Sequence, residues 1–134
     1  DKGEIDALVT VGAGAPGRAL HFAGLDIAGL DATMTTLIER GDPTNAIRAG
    51  LARKLATKAA QPRYEAFLSR ISGRIADHAL SLEGPPLAAA IAAWERARGL
   101  AEGAVRLSLD PQSVVFELAG VLATLAPGAK PAKA

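Results

Sequence analysis

The chain has 134 residues, one domain's length, and its fifteen basic and fourteen acidic side chains leave a net charge of +1, which neither requires nor excludes a nucleic-acid partner. Hydrophobic residues make up 49% of the chain but aromatic residues only 4%, which favours helices packed through alanine and leucine over a β-sheet. The chain has no cysteine, so disulfides and thiolate metal sites are not expected. It has no signal-peptide pattern and no apolar run approaching the about 20 residues that span a bilayer, so we expect a cytoplasmic protein without membrane contacts.

The first part of the chain predicts three helices around a glycine-rich stretch. Short helices are expected in "GEIDALVTVG" and "PGRALHFAG", and a longer one in "LDIAGLDATMTTLIERG" that starts near Asp26. The intervening "VGAGAPGRAL" has the glycines of a phosphate-binding loop, but such a loop normally follows a strand, and the Walker Lys-Ser/Thr pair and the GxGxxG register are missing. We interpret it as a turn between helices with Pro16 at the second helix start; a nucleotide site at residues 12–18 is the alternative.

Prolines mark the starts of the next two helices. Asp42 and Pro43 are expected to be the N-cap and the first residue of a helix through "GDPTNAIRAGLARKLATKAA". Pro62 is expected to be the first residue of a helix through "QPRYEAFLSRISGRIADHALSL". The buried stripes are predicted as Ile47, Leu51 and Leu55 in the first helix, and as Tyr64, Phe67, Leu68, Ile71, Ile75, Ala79 and Leu82 in the second.

Two further helices complete the predicted fold, an all-α antiparallel helical bundle with short connections and no convincing strand. The first begins at the Gly-Pro-Pro of residues 84–86, and Trp94 is favoured as a core residue over an interface residue. The second has Asp110 as its cap and Pro111 as its first residue, and Pro127 is expected to end it. The buried faces are predicted as Leu87, Ile91, Trp94, Ala97, Ala101 and Val105, and as Val114, Leu118, Val121, Leu122 and Leu125.

The residues that could carry chemistry do not form a catalytic pattern. His21 and His78 lie far apart in the sequence, and Asp77 projects about 100° away from His78 around a helix. Serines and carboxylates lack the spacing of a nucleophile elbow or a metal site. We therefore expect a chain that is not an enzyme and that takes no cofactor, metal or small-molecule ligand.

One local charge feature is a band of seven basic residues with only Glu65 against them. We favour the interpretation that this basic band is the solvated face of a helix pair, beside acidic stretches at residues 26–39 and 95–102. The alternative is a surface for nucleic acid or for an acidic partner. The basic band consists of Arg48, Arg53, Lys54, Lys58, Arg63, Arg70 and Arg74.

The order of these segments resembles the C-terminal part of the delta-prime subunit family of the bacterial DNA polymerase III clamp loader. "GAGAPGRAL" resembles the Gly-Ser-Pro-Gly-Arg-Ala-Leu motif near the end of the family's AAA+ lid, and "LDPQSVVFELAGVLATL" resembles the last helix of its collar. Ala15 replaces the capping serine of that motif, and Asp110 replaces the commoner asparagine at the start of the last helix. The matching motif residues are Gly14, Pro16, Gly17 and Arg18.

The resemblance implies three parts: the end of an AAA+ lid at residues 1–25, a helical collar or oligomerisation domain at 26–127, and a disordered tail at 128–134. It implies a structural role in the pentameric ring that loads the sliding clamp during replication, with gamma/tau and delta subunits as partners and only indirect contact with DNA. The sensor arginine of the ATP-hydrolysing relatives would fall on Gly17, so the resemblance implies that this part of the chain does not sense ATP.

Overall fold

A computed structural model describes residues 26–129 of the chain. This range contains no β-strand, so the predicted all-α fold is confirmed. A short 3₁₀ helix, Lys58–Ala60, precedes the third α-helix. The α-helices of this range are α1 (Ile27–Arg40), α2 (Ala46–Leu55), α3 (Gln61–Ala79), α4 (Gly84–Arg106) and α5 (Pro111–Ala123).

Contacts between α1 and α3 give the direction of the helices. Arg70 in α3 donates to Asp31 in α1, and Arg74, one turn further along α3, donates to Thr35, one turn further along α1. Because both partners advance together, α1 and α3 run in the same direction. Arg48 near the start of α2 lies against Gly120 near the end of α5, so α2 runs opposite to α5. Successive helices therefore alternate in direction, as in an up-and-down bundle.

The two ends of the bundle differ in the elements that meet there. At one end, here called the Gly41 end, α1 and α5 both finish: a Cβ on Gly41 would lie 3.2 Å from the Cβ of Ala126. At the other end, here called the Asp110 end, α1, α3 and α5 begin and α2 and α4 finish. Burial, and after it the charge of Asp110 at the start of α5, raise the pKa of Tyr64 in the first turn of α3, so these two helix starts lie at the same end.

The start of α2 differs from the prediction. Asp42 is not the N-cap and Pro43 is not helical, because a turn closed by the Asn45 N–H on the Asp42 carbonyl precedes the helix. The Asp42 carboxylate still accepts hydrogen bonds from the backbone N–H groups of Ile47 and Arg48, at 3.2 and 2.8 Å. Asp42 thus satisfies donors of the first turn of α2 from outside the helix.

Two of the other predicted helix boundaries shift and two are confirmed. Pro62 is the second residue of α3 rather than the first, because the 3₁₀ turn leads directly into Gln61. The start of α1 near Asp26 is confirmed. Asp110 caps α5 as predicted, accepting from the backbone N–H of Ser113 at 3.0 Å, with Pro111 as the first residue. α5 ends at Ala123, before Pro127, so this proline does not end the helix.

The core is formed by the inward faces of all five helices of the described range. The stripes predicted for α2 and α3 lie in it, except that Ile47 at the start of α2, Ala79 at the end of α3 and Leu82 just beyond α3 are only half buried. The predicted face of α5 is buried, with Leu125 partly so. The largest fully buried side chains are Phe67, Ile27, Leu30, Met34, Leu37, Leu55, Ile71, Ile75, Leu118, Leu122 and Val115.

The predicted buried face of α4 is only partly correct: Ala97 is fully buried, and Trp94 and Ala101 pack partly buried against the core, but two large residues of the stripe are exposed. Ile91 and Val105 are 48% and 71% exposed, although both lie on the predicted apolar stripe. Trp94 is only half buried against the core, with the guanidinium of Arg98 5.3 Å from its ring centroid. Small side chains let the backbone of α4 approach α3 and α5 closely, so this helix buries its alanines rather than its largest residues. The buried residues of α4 are Ala90, Ala93, Ala97 and Ala104.

Candidate functional site

The structure does not bring the seven residues of the basic band onto one exposed surface. Arg70 forms an ion pair with Asp31, with Nε 2.8 Å from Oδ1, and the two side chains are only 12% and 21% exposed. Arg74 donates to the hydroxyl of Thr35, and Arg63 is half buried. Glu65 is the only carboxylate within the basic band in the sequence, whereas Asp31 lies 39 residues away from its partner Arg70.

Arg48 is also not part of an exposed basic surface, because its side chain packs against α5. Its Nε donates to the carbonyl oxygen of Phe116 at 3.0 Å, and its Cζ lies 3.8 Å from the Phe116 ring centroid. Its Nη1 donates to Oδ1 of Asn45 at 3.1 Å. Such a stacked and hydrogen-bonded guanidinium joins α2 to α5 and is not a free cation for a partner.

Three residues of the basic band stay exposed, namely Arg53, Lys54 and Lys58. They lie at the end of α2 and in the following 3₁₀ turn, at the Asp110 end. Within residues 26–129 no carboxylate lies within ion-pair distance of any of the three. The positive surface is therefore smaller than the sequence suggested and belongs to one end of the bundle.

A groove of about 760 Å³ opens at the Gly41 end. Three arginines line it, Arg40, Arg48 and Arg96, together with the carboxylates of Asp42 and Glu117. Arg96 and Glu117 lie 3.6 Å apart across it, both about half exposed. Since α1 and α5 also finish there with their partly negative carbonyl ends, the charges of the groove are close to balanced.

This groove could not be predicted from the sequence, because its walls come from three separate segments of the chain: residues 40–48, Arg96 and residues 117–129. No three His, Asp or Glu side chains between residues 26 and 129 come together as a metal site would require. The groove lies where helix ends meet, since α1 and α5 finish there and α2 begins there.

The first three turns of α4 carry an exposed apolar face. Residues 84–94 contain no charged side chain, and much of their surface lies open to solvent. Leu80, in the turn before α4 at the Gly41 end, is 87% exposed. A helix that is apolar all around is normally buried, so this surface is unusual. We call it the α4 apolar face; its exposed residues are Pro85, Pro86, Ala88, Ala89, Ile91 and Ala92.

A second exposed apolar surface lies at the Asp110 end, where α4 passes into α5. Val105, Leu107 and Leu109 project from this connection, with Leu107 60% and Leu109 39% exposed. No sequence pattern predicts this surface, because the apolar period places Val105 on the buried side of α4. We call these three residues the connection patch.

Two groups near this connection have shifted pKa values. Hydrogen bonds from the hydroxyl and then from the backbone N–H of Ser113 lower the pKa of Asp110. Burial, and then the nearby charge of Asp110, raise the pKa of Tyr64. Both shifts follow from the packing and capping of the helix starts.

The glycine motif with Gly14, Pro16, Gly17 and Arg18 lies outside the described residues, and so does the nucleotide site considered there. Within the described range, no helix has the length and apolar character of a membrane span. No protein-family model matches the chain, and neither a known curated protein nor a solved structure is significantly similar to it.

Proposed function

We propose that residues 26–127 are a helical oligomerisation module that holds its protein beside neighbouring subunits, as the collar of a bacterial clamp loader does. The observation that carries this proposal is the α4 apolar face, an uncharged surface on the longest helix of the described range. Apolar surface of this kind is stabilised when a partner removes it from water, and uncharged patches rimmed by polar residues are typical of interaction sites.

The resemblance of the segment order to the delta-prime subunit family supports the choice of assembly. On this proposal residues 1–25 are the end of an AAA+ lid and 128–134 are a tail. The partners are then the gamma/tau and delta subunits, and contact with DNA is indirect. The domain works in the cytoplasm, and it is mechanical rather than catalytic, because its helices fix the circular order of the subunits.

The first test mixes the chain with the C-terminal domains of the delta and gamma/tau subunits and measures complex formation by analytical ultracentrifugation. We expect a complex at tens of micromolar with at least one of them. Its absence with both contradicts the assignment to a clamp loader.

A matched pair of variants then tests the surface. Ile91→Glu places a charge within the α4 apolar face, whereas Ala76→Glu places the same charge at an exposed position of α3. We expect Ile91→Glu to weaken the complex at least about tenfold, which corresponds to roughly 1.4 kcal/mol, and Ala76→Glu to leave it unchanged. Equal affinities of the two variants would exclude the α4 apolar face as the interface.

A second candidate function, nucleic-acid binding, rests on the exposed cations Arg53, Lys54 and Lys58. Phosphate contacts from these residues would make affinity fall with salt, with a slope of about −0.9 per phosphate contacted on B-DNA. Changing all three to alanine is expected to abolish this binding. The control removes the same charge elsewhere, by changing Arg40, Arg96 and Arg98 to alanine, and it should bind as the parent does. Unchanged affinity of the first variant rules the candidate out.

A further inference from the structure

The connection patch is held in place by the backbone rather than left exposed by a loose loop. The N–H of Leu107 donates to the carbonyl of Gly103 at 2.9 Å, and that of Leu109 donates to the carbonyl of Ala104 at 3.1 Å. Ser108 between them has a φ of 50°, which turns the chain out of α4. The outward direction of the apolar side chains is therefore fixed by the helix ending, and the patch is ready to receive a partner.

The chain itself brings a candidate occupant to this patch. Because α1 and α3 run in the same direction, α1 begins at the Asp110 end, close to the level of the first turns of α3. The connection patch lies at the same end, beside Asp110. Residues 1–25 therefore join the described fold at the end of the bundle that carries the patch.

We propose that the apolar stretch at residues 5–11 binds the connection patch of the same chain. Ile5, Leu8 and Val9 stand at the i, i+3 and i+4 spacing that places them on one side of a helix. Residues 12–25, which link this stretch to α1, can span up to about 45 Å when extended. This exceeds the roughly 34 Å length of α4, so residues 5–11 can reach any part of the Asp110 end.

Charge favours this occupant over an arbitrary apolar segment. Residues 1–6 carry three acidic side chains, Asp1, Glu4 and Asp6, against one lysine. Arg106 lies exposed within the connection itself, and the exposed cations at the end of α2 and in the 3₁₀ turn lie at the same end of the bundle. The one carboxylate of the connection, that of Asp110, is already engaged by Ser113. A tethered segment also has an effective concentration of the order of millimolar, so even a small contact area can be occupied.

The experiment uses the absence of cysteine from the chain. A spin label on a single cysteine, introduced as Ala7→Cys in the full chain, broadens the amide signals of nearby residues. We expect strong broadening at residues 105–109 and none at Leu80, which lies at the Gly41 end. An absence of broadening at residues 105–109 overturns the proposal.

Two further samples separate the possible occupants. In a mixture of spin-labelled chain and isotope-labelled chain without a spin label, broadening at residues 105–109 would mean that a second copy binds, which also overturns the proposal.

In the spin-labelled chain, the double change Val105→Asp and Leu107→Asp should remove the broadening, whereas Leu80→Asp should keep it. All three positions are exposed, so the fold is retained, as the remaining amide signals will report. Broadening that survives the double change contradicts the assignment to these side chains.

Discussion

The guanidinium of Arg48 occupies the space above Gly120 that any larger residue would fill. A Cβ on Gly120 would lie 2.3 Å from Nη2 and 2.6 Å from Cζ of Arg48, far inside van der Waals contact. The same guanidinium stacks on the ring of Phe116, one turn earlier in α5. The contact between α2 and α5 thus depends on a glycine in one helix and an arginine in the other.

Gly120→Ala is expected to displace the Arg48 side chain, whose far end is free to rotate away. The loss of its hydrogen bond and stacking costs about 1–2 kcal/mol, against a helix-propensity gain of up to about 1 kcal/mol. In an Arg48→Ala background only the gain remains, so there Gly120→Ala should stabilise the protein. Urea denaturation of the four proteins measures the coupling. Gly99→Ala is the control, since nothing lies near that glycine; additive effects would contradict the coupling.

The ion pair between Asp31 and Arg70 is expected to contribute more than the exposed pairs of the protein. Both side chains are largely buried, so Asp31→Asn leaves a guanidinium without its carboxylate and should cost about 1–3 kcal/mol in the free energy of unfolding. Glu102→Gln, which breaks the exposed pair with Arg98, should cost no more than about 0.5 kcal/mol. Chemical denaturation measures both, and equal losses would mean that the Asp31–Arg70 pair is no stronger than a surface pair.

The parts of the fold that the sequence predicted correctly are those set by local rules. Asp110 and Pro111 mark a helix start wherever the helix packs, and the strong apolar period of α3 leaves one possible buried face. The buried face of α4 was predicted only in part, because the first half of this helix is apolar on all sides. The apolar period therefore did not identify the face on which the alanines are buried. Pairings such as Arg70 with Asp31 depend on which helices become neighbours, and no local pattern carries that information.

The same distinction applies to the candidate sites. The basic band was a sequence feature, and three of its members, Arg53, Lys54 and Lys58, are exposed. The groove and the α4 apolar face were not predicted. Both arise from the arrangement of helices: the groove from helix ends that meet, the apolar face from a side of α4 that no other helix of the described range covers.

Ser108→Gly is expected to stabilise the protein. Ser108 holds a φ of 50° at the end of α4, a backbone region that costs a residue with a Cβ about 1 kcal/mol and glycine nothing. We therefore expect a gain of about 0.5–1 kcal/mol, measured as a higher urea midpoint. Ser81→Gly, at an exposed turn without positive φ, is the control; it also removes a hydroxyl that donates to the carbonyl of His78 at 2.8 Å, so it should be destabilising. A lower midpoint for Ser108→Gly would show that the serine side chain makes a contact worth more than the strain.

Tyr64→Phe is expected to change how stability depends on alkaline pH. The Tyr64 hydroxyl is buried and has no hydrogen-bond partner within the described part of the chain. Burial, and then Asp110, raise its pKa above that of the unfolded chain, which lies near 10. The folded state thus holds the phenolic proton more tightly, and this contribution is complete below about pH 10 and lost as the pH rises through the folded pKa.

The variant lacks the ionisable group, so its free energy of unfolding should fall less steeply than that of the parent protein above about pH 10. Near neutral pH the two should be equally stable, or Tyr64→Phe more so, because the removed hydroxyl made no hydrogen bond. Urea unfolding between about pH 8 and 11 measures both effects. Because Tyr64 is the one tyrosine of the chain, phenolate absorbance follows the same group in the parent protein. Parallel stability curves would mean that Tyr64 ionises as easily in the folded protein as in the unfolded chain.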